Sequence, residues 1–131
     1  MNKYQKFIKK GVIESLDRVP FHSEAPIKRL SMLNKSLIPQ SDTHIAVHFV
    51  DASKALPKYS KLHKHTHDEI NLILSEDSIL TYEIQLEDES YEVTSPSTIF
   101  IPKGIRHSAQ AISGKGIFVC IILSNNPDFP L

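Results

Sequence analysis

Between residues 45 and 123 the chain alternates short apolar-rich runs with turn signals. This rhythm constrains the fold more than any other feature. Leu80, Tyr82, Ile84 and Leu86 alternate with more polar neighbours, so one set of side chains falls on each face of a strand. Further strands are predicted over 45–50, 63–74, 90–93, 98–101 and 117–123. Turns fall at Glu87-Asp88-Glu89, Ser95-Pro96-Ser97, Pro102-Lys103-Gly104 and 113–116, and Asn125-Asn126-Pro127 ends regular structure. Strands recurring at roughly 8–12-residue spacing argue for an all-β sandwich or barrel. No βαβ pattern, internal repeat or low-complexity segment competes with that reading.

The chain before this region reads differently. Tyr4, Phe7 and Ile8 stand at helical spacing and Gly11 stops the pattern, so a short helix is predicted over 2–10. Pro20 and Pro26 bracket an irregular stretch. Residues 1–35 exceed what a minimal β-barrel needs and are expected to form an extension that packs on the barrel or on a partner subunit. Residues 36–131 are expected to form the barrel domain. Lys3, Lys6, Lys9 and Lys10 precede the first acid, Glu14. With no apolar region following, they read as a solvated lead-in rather than a targeting signal.

At 131 residues and 40% hydrophobic, the chain suits one domain with a real core. Fifteen basic residues balance fifteen acidic ones, so no broad field points to nucleic acid. No apolar run approaches the roughly 20 residues of a membrane span. The single cysteine, Cys120, lies in an apolar run and reads as a buried structural thiol. Such cysteine-poor composition fits the cytoplasm. There is no Gly-rich phosphate loop and no Gly-x-Ser-x-Gly nucleophile elbow.

The segment Leu62-His63-Lys64-His65-Thr66-His67-Asp68-Glu69-Ile70 carries the chemistry. On an extended backbone His63, His65, His67 and Glu69 share one face, while Asp68 points outward. Imidazoles and a carboxylate converging there suit a divalent transition metal. One strand supplies two or three ligands, so another must come from elsewhere. The best candidate is His107, which follows the Pro102-Lys103-Gly104 turn. His44 and His48 are read as strand surface, with a place beside the metal as the alternative. Lys103 and Arg106 are read as solvated loop charges. Tyr82, Phe100 and Phe118 are read as core or sheet-packing residues.

His63-x-His65-x-x-x-Glu69 resembles the first motif of the cupin superfamily, and Pro102-x-Gly104-x-x-His107 resembles the second. The two occur in the family's order, with two strands between them. The chain departs from the pattern at turn and flanking positions. Pro57, Glu76 and Pro96 stand where the family usually has glycine, and Ala111 where it has asparagine.

The resemblance implies an antiparallel jelly-roll β-barrel holding one divalent metal ion: iron, manganese, nickel, cobalt or zinc. It implies His63, His65, Glu69 and His107 as ligands and leaves His67 at the rim or behind them. An open coordination position then fits an enzyme acting on an oxygen-rich small molecule, by oxygenation or isomerisation. Two alternatives stand beside it. One is a non-catalytic ligand-binding or sensor cupin. The other is a metal-free sugar-nucleotide epimerase or isomerase using a barrel histidine as general base. Barrels of this class often pair, so a homodimer is expected.

Overall fold

The computed structural model describes residues 3–19, 21–23 and 25–123. The expected stop at 125–127 lies outside them. Among the described residues nine strands form two antiparallel sheets. They are β1 (Val12–Glu14), β2 (Lys28–Leu33), β3 (His44–Asp51), β4 (Glu69–Leu74), β5 (Thr81–Leu86), β6 (Glu89–Thr94), β7 (Ser97–Ile101), β8 (His107–Ser113) and β9 (Lys115–Ile122). The larger sheet runs β1-β2-β3-β9-β4-β7 and the smaller β6-β5-β8.

Strand β9 sits inside the larger sheet, paired with β3 and β4. Its sequence explains the position. Ile117-Phe118-Val119-Cys120-Ile121-Ile122 is apolar on both parities, which suits a strand paired on both edges, with Phe118 and Ile122 buried and the outward Ile117, Val119 and Ile121 half-buried. The core lies between the sheets and includes Ile73, Leu80, Tyr82, Ile84, Ile101 and Phe118. Tyr82 stacks on Phe118 with centroids 4.6 Å apart. The Tyr59 hydroxyl accepts a hydrogen bond from the Ala111 amide at 3.0 Å. Each buried Leu, Ile or Phe side chain stabilises by roughly 1.5–3 kcal/mol. Phe100, expected in the core or between the sheets, instead points outward from β7 and is 54% exposed.

Two other expectations are corrected. The strand predicted from residue 63 begins only at Glu69, and residues 63–68 are irregular apart from a bridge at His63. The helix predicted near the N-terminus is one 3-10 turn, Gln5–Phe7, with no buried residue. Without a buried face, a segment that short has nothing to stabilise a longer helix. The stretch before residue 36 supplies β1 and β2 to the larger sheet. Among the described residues no helix is long and apolar enough to cross a membrane.

The turn joining β8 to β9 depends on Gly114, at φ +85°. A Cβ there would collide with the Ile79 carbonyl, whereas at Gly104 (φ +82°) it would meet open space. Gly114→Ala is expected to lower stability by about 2 kcal/mol or more, and Gly104→Ala by only about 1. Urea denaturation measures both. Equal losses would show that the carbonyl contact is unimportant.

Candidate metal centre

His63 and His107 come together through main-chain pairing. The His63 amide donates to the His107 carbonyl at 3.0 Å, and the His107 amide to the His63 carbonyl at 2.7 Å. The first motif is clamped to the second twice more. The Gly104 amide donates to the His65 carbonyl at 2.8 Å. The Lys103 amide donates to Asp68 Oδ1 at 2.9 Å. Asp68 thus holds the turn that delivers His107, a role its outward parity did not suggest.

The imidazoles of His63, His65 and His107 are buried, and their ligand atoms lie within 4.8 Å of one another. Two of the rings have their tautomers set by main-chain carbonyls. His63 Nδ1 faces the Lys61 carbonyl at 2.5 Å and His107 Nδ1 the Ile105 carbonyl at 3.0 Å. A proton on Nδ1 directs the other nitrogen, Nε2, inward. Phe21 lies flat on His63, centroids 4.8 Å apart and planes 7° apart. Phe21 does so with a backbone φ of +66°.

Glu69, at the first position of β4, completes the group. Its Oε1 is 3.2 Å from His107 Nε2 and 3.5 Å from His65 Nε2. Its Oε2 accepts from Asn71 Nδ2 at 2.8 Å and from the Cys120 thiol at 3.5 Å. Burial pushes the Glu69 carboxyl pKa up, but hydrogen bonds from His107 and Asn71 outweigh it and hold the value at about 2. Burial pulls His107 down, yet Glu69 raises it overall. Glu69 and His107 therefore each favour the other's charged form in a buried pair.

The donor set fits a divalent metal. Its nitrogen and oxygen atoms converge from three segments, and His63, His65, His107 and Glu69 would hold such an ion in competition with protons on the same atoms. His67 lies outside this group, half-buried, with Nδ1 against the Thr66 hydroxyl at 3.1 Å.

Behind the group, the inner face of the larger sheet is polar. His44 and His48, read from sequence as strand surface, are buried on the inward parity of β3. Arg29 of β2, which no sequence signal singled out, lies beside them, 2% exposed. Its Nη1 donates to His48 Nε2 at 3.0 Å and its Nη2 to His44 Nε2 at 3.4 Å. Burial depresses His44 to about 4 and His48 well below its usual value, with Arg29 adding to both shifts. A small cavity of about 30 Å³ joins Arg29 and His48 to His63, Glu69, Asn71 and His107. Arg106 stays on the surface, paired to Glu87 at 3.0 Å.

No protein-family model and no curated protein matches the sequence. Solved structures do. An RmlC-like cupin from Shewanella frigidimarina superposes with a TM-score of 0.60 at 14% identity, over 90% of this chain and 85% of that one. A cupin 2 domain-containing protein from Halorhodospira halophila gives 0.60 at 14%, over 80% and 81%. The chain has a cupin fold. The polyketide cyclase RemF from Streptomyces resistomycificus shares this architecture, with a TM-score of 0.63 at 18% identity over 97% of this chain and 82% of that one. In this fold the two sequence motifs meet where the bridge joins His63 to His107.

Stability should respond to pH through the buried neutral imidazoles. His44 and His63 titrate near 4 when folded and His48 well below 6.5. Unfolded histidines take up protons near 6.5. Between about 6.5 and 4 the unfolded chain therefore binds more protons, and stability falls as pH falls, by up to ~1.4 kcal/mol per pH unit per histidine. His107 opposes this with one raised group, whose contribution is lost as pH rises through its folded pKa. Denaturant midpoints of metal-free protein from pH 7 to 4.5 should drop steadily, and less steeply in His48→Asn. A flat profile would contradict the burial of these rings as neutral groups.

Proposed function

We propose that this cupin is a metal-dependent enzyme, of oxygenase or isomerase type, acting on an oxygen-rich small molecule. In this reading the sheets are the two faces of a jelly-roll barrel, with residues 36–131 as its domain and β1 and β2 of the preceding extension added to the edge of one sheet. His63, His65, Glu69 and His107 bind one divalent ion of iron, manganese, nickel, cobalt or zinc. The observation that carries the reading is the buried three-imidazole group, with two tautomers fixed and a carboxylate against it.

A divalent ion bound there supplies Lewis acidity to a ligand oxygen and, if redox-active, electrons for dioxygen. The chain's own groups do the rest. The Lys61 and Ile105 carbonyls orient two rings. Asn71 and Cys120 fix the Glu69 carboxylate. The narrow cavity limits water at the inner side of the group to one or two molecules.

Purified protein is expected to carry about one equivalent of metal by elemental analysis, and His65→Ala a small fraction of it. Asn71→Ala, which removes the donor to Glu69, should weaken metal affinity roughly 10–100-fold without unfolding the chain. Metal content indifferent to His65→Ala would remove the site. Metal without turnover on oxygen-rich substrates would favour a binding or sensor role instead.

The reading extends to assembly. Strand β1 is an edge of the larger sheet. Tyr4, Phe7, Ile8, Val12 and Ile13 are exposed on and before it. An unpaired edge flanked by apolar side chains supports a homodimer formed through the N-terminal segment of a cytoplasmic protein. Light scattering should give twice the 14.8 kDa chain mass, and Ile13→Lys should shift it toward the monomer. A monomeric wild type refutes the pairing.

A further inference from the structure

Arg29 is a buried cation with an incomplete set of partners. Its guanidinium touches two imidazoles, both neutral acceptors. Its Nε has no hydrogen-bond partner, and neither has His48 Nδ1. The carboxylate on the neighbouring strand, Glu14, pairs with Arg29 in register, but its Oε1 accepts from the Ser31 hydroxyl. Among the described residues no carboxylate is in ion-pair contact with Arg29.

A buried charge without a close counter-charge is costly, by several kcal/mol as an order of magnitude. A strand interior keeps such a group only where something else offsets the cost. The cavity that Arg29 lines continues to His63, Glu69 and His107. With a divalent ion there, Glu69 neutralises only part of the added charge. The pocket then carries a net positive charge at both ends. Its free volume, about 30 Å³, is that of one or two waters, so it takes the two oxygens of a carboxylate head in their place and little more. A planar guanidinium with two forked N–H groups matches a carboxylate better than any neutral group.

We propose that Arg29, steadied by His44 and His48, binds the carboxylate of a small organic acid whose other oxygen faces the three-imidazole group. This rests on the metal-site reading above and names its substrate class. Arg29 is then the group that selects an acid over its neutral ester and sets the direction in which the molecule enters. His48 and His44 hold the guanidinium without neutralising it, which a carboxylate in their place would do.

The test is titration calorimetry of zinc-loaded protein with glycolate, methyl glycolate and inorganic phosphate. Wild type, Arg29→Met and Arg29→Lys are compared, with zinc content and circular dichroism measured on each. Glycolate should bind wild type, and at least tenfold more weakly Arg29→Met at unchanged zinc content. Arg29→Lys, which keeps the charge and loses the fork, should fall between. The ester and phosphate should bind wild type at least tenfold more weakly than glycolate.

Ester or phosphate binding as tight as glycolate overturns the proposal, as does glycolate affinity unchanged in Arg29→Met. If Arg29→Met fails to fold, the Arg29→Lys comparison decides: affinity equal to wild type overturns the proposal, and a loss supports it. If the wild type takes up no zinc, the metal reading fails by itself. Glycolate binding to metal-free wild type, lost on Arg29 substitution, would still support the subsite, and no such binding would overturn it.

Discussion

The two main-chain hydrogen bonds between His63 and His107 are the constraint on which the centre depends. They join a segment preceding β4 in the larger sheet to the first residue of β8 in the smaller one. Backbone groups buried between sheets must be paired. The pairing that satisfies these two also sets the relative position of two side chains 44 residues apart in sequence. A side chain anchored at a paired backbone position has little freedom beyond its rotamer. That is why a centre can form here in a stretch that is otherwise irregular.

The sheet's inner face shows how an interior of this kind differs from an ordinary core. Arg29, Ser31, His44, His48, Asn71, Cys120 and Glu69 share the inward parity of four adjacent strands. Below them, toward the other end of the molecule, Ile73, Val50 and Tyr82 form a conventional apolar packing layer. The fold thus divides into a dry half that contributes stability and a polar half that tolerates several groups of limited satisfaction. The polar half draws on the stability of the other.

Much of this was legible from residue order. Five of the predicted strands correspond to β3, β5, β6, β7 and β9 within a few residues. Their alternation and bounding turns are local signals. Four residues of the two motifs do converge in space, and His67 stands apart from them. The route to that convergence was misread. Alternate residues on one strand suggested a shared face, yet 63–68 is not a strand, and the chain instead turns each ring inward by separate tertiary contacts.

The misreading of β3 has a different cause. Ile45, Val47 and Phe49 form the more apolar parity, so hydrophobicity assigns them to the interior. The structure buries His44, Ala46, His48 and Val50 instead. Parity follows the hydrophobic set only where the interior is apolar. Arg29 and β2 were hidden for the same reason: Leu30 and Met32 form the apolar parity, yet Arg29 and Ser31 are the residues buried. The N-terminal helix failed because spacing without a surface to bury is a weak signal.

Phe21 carries a consequence of its own. A phenylalanine at positive φ is held against its backbone preference at a cost of roughly 1–2 kcal/mol, and its ring lies on His63. Glycine at this position would relax the backbone and remove the ring that shields one face of the imidazole. Global robustness and order at His63 therefore pull in opposite directions at a single residue. Sequence drift there would be read by the molecule as a trade between keeping folded and keeping one ring still.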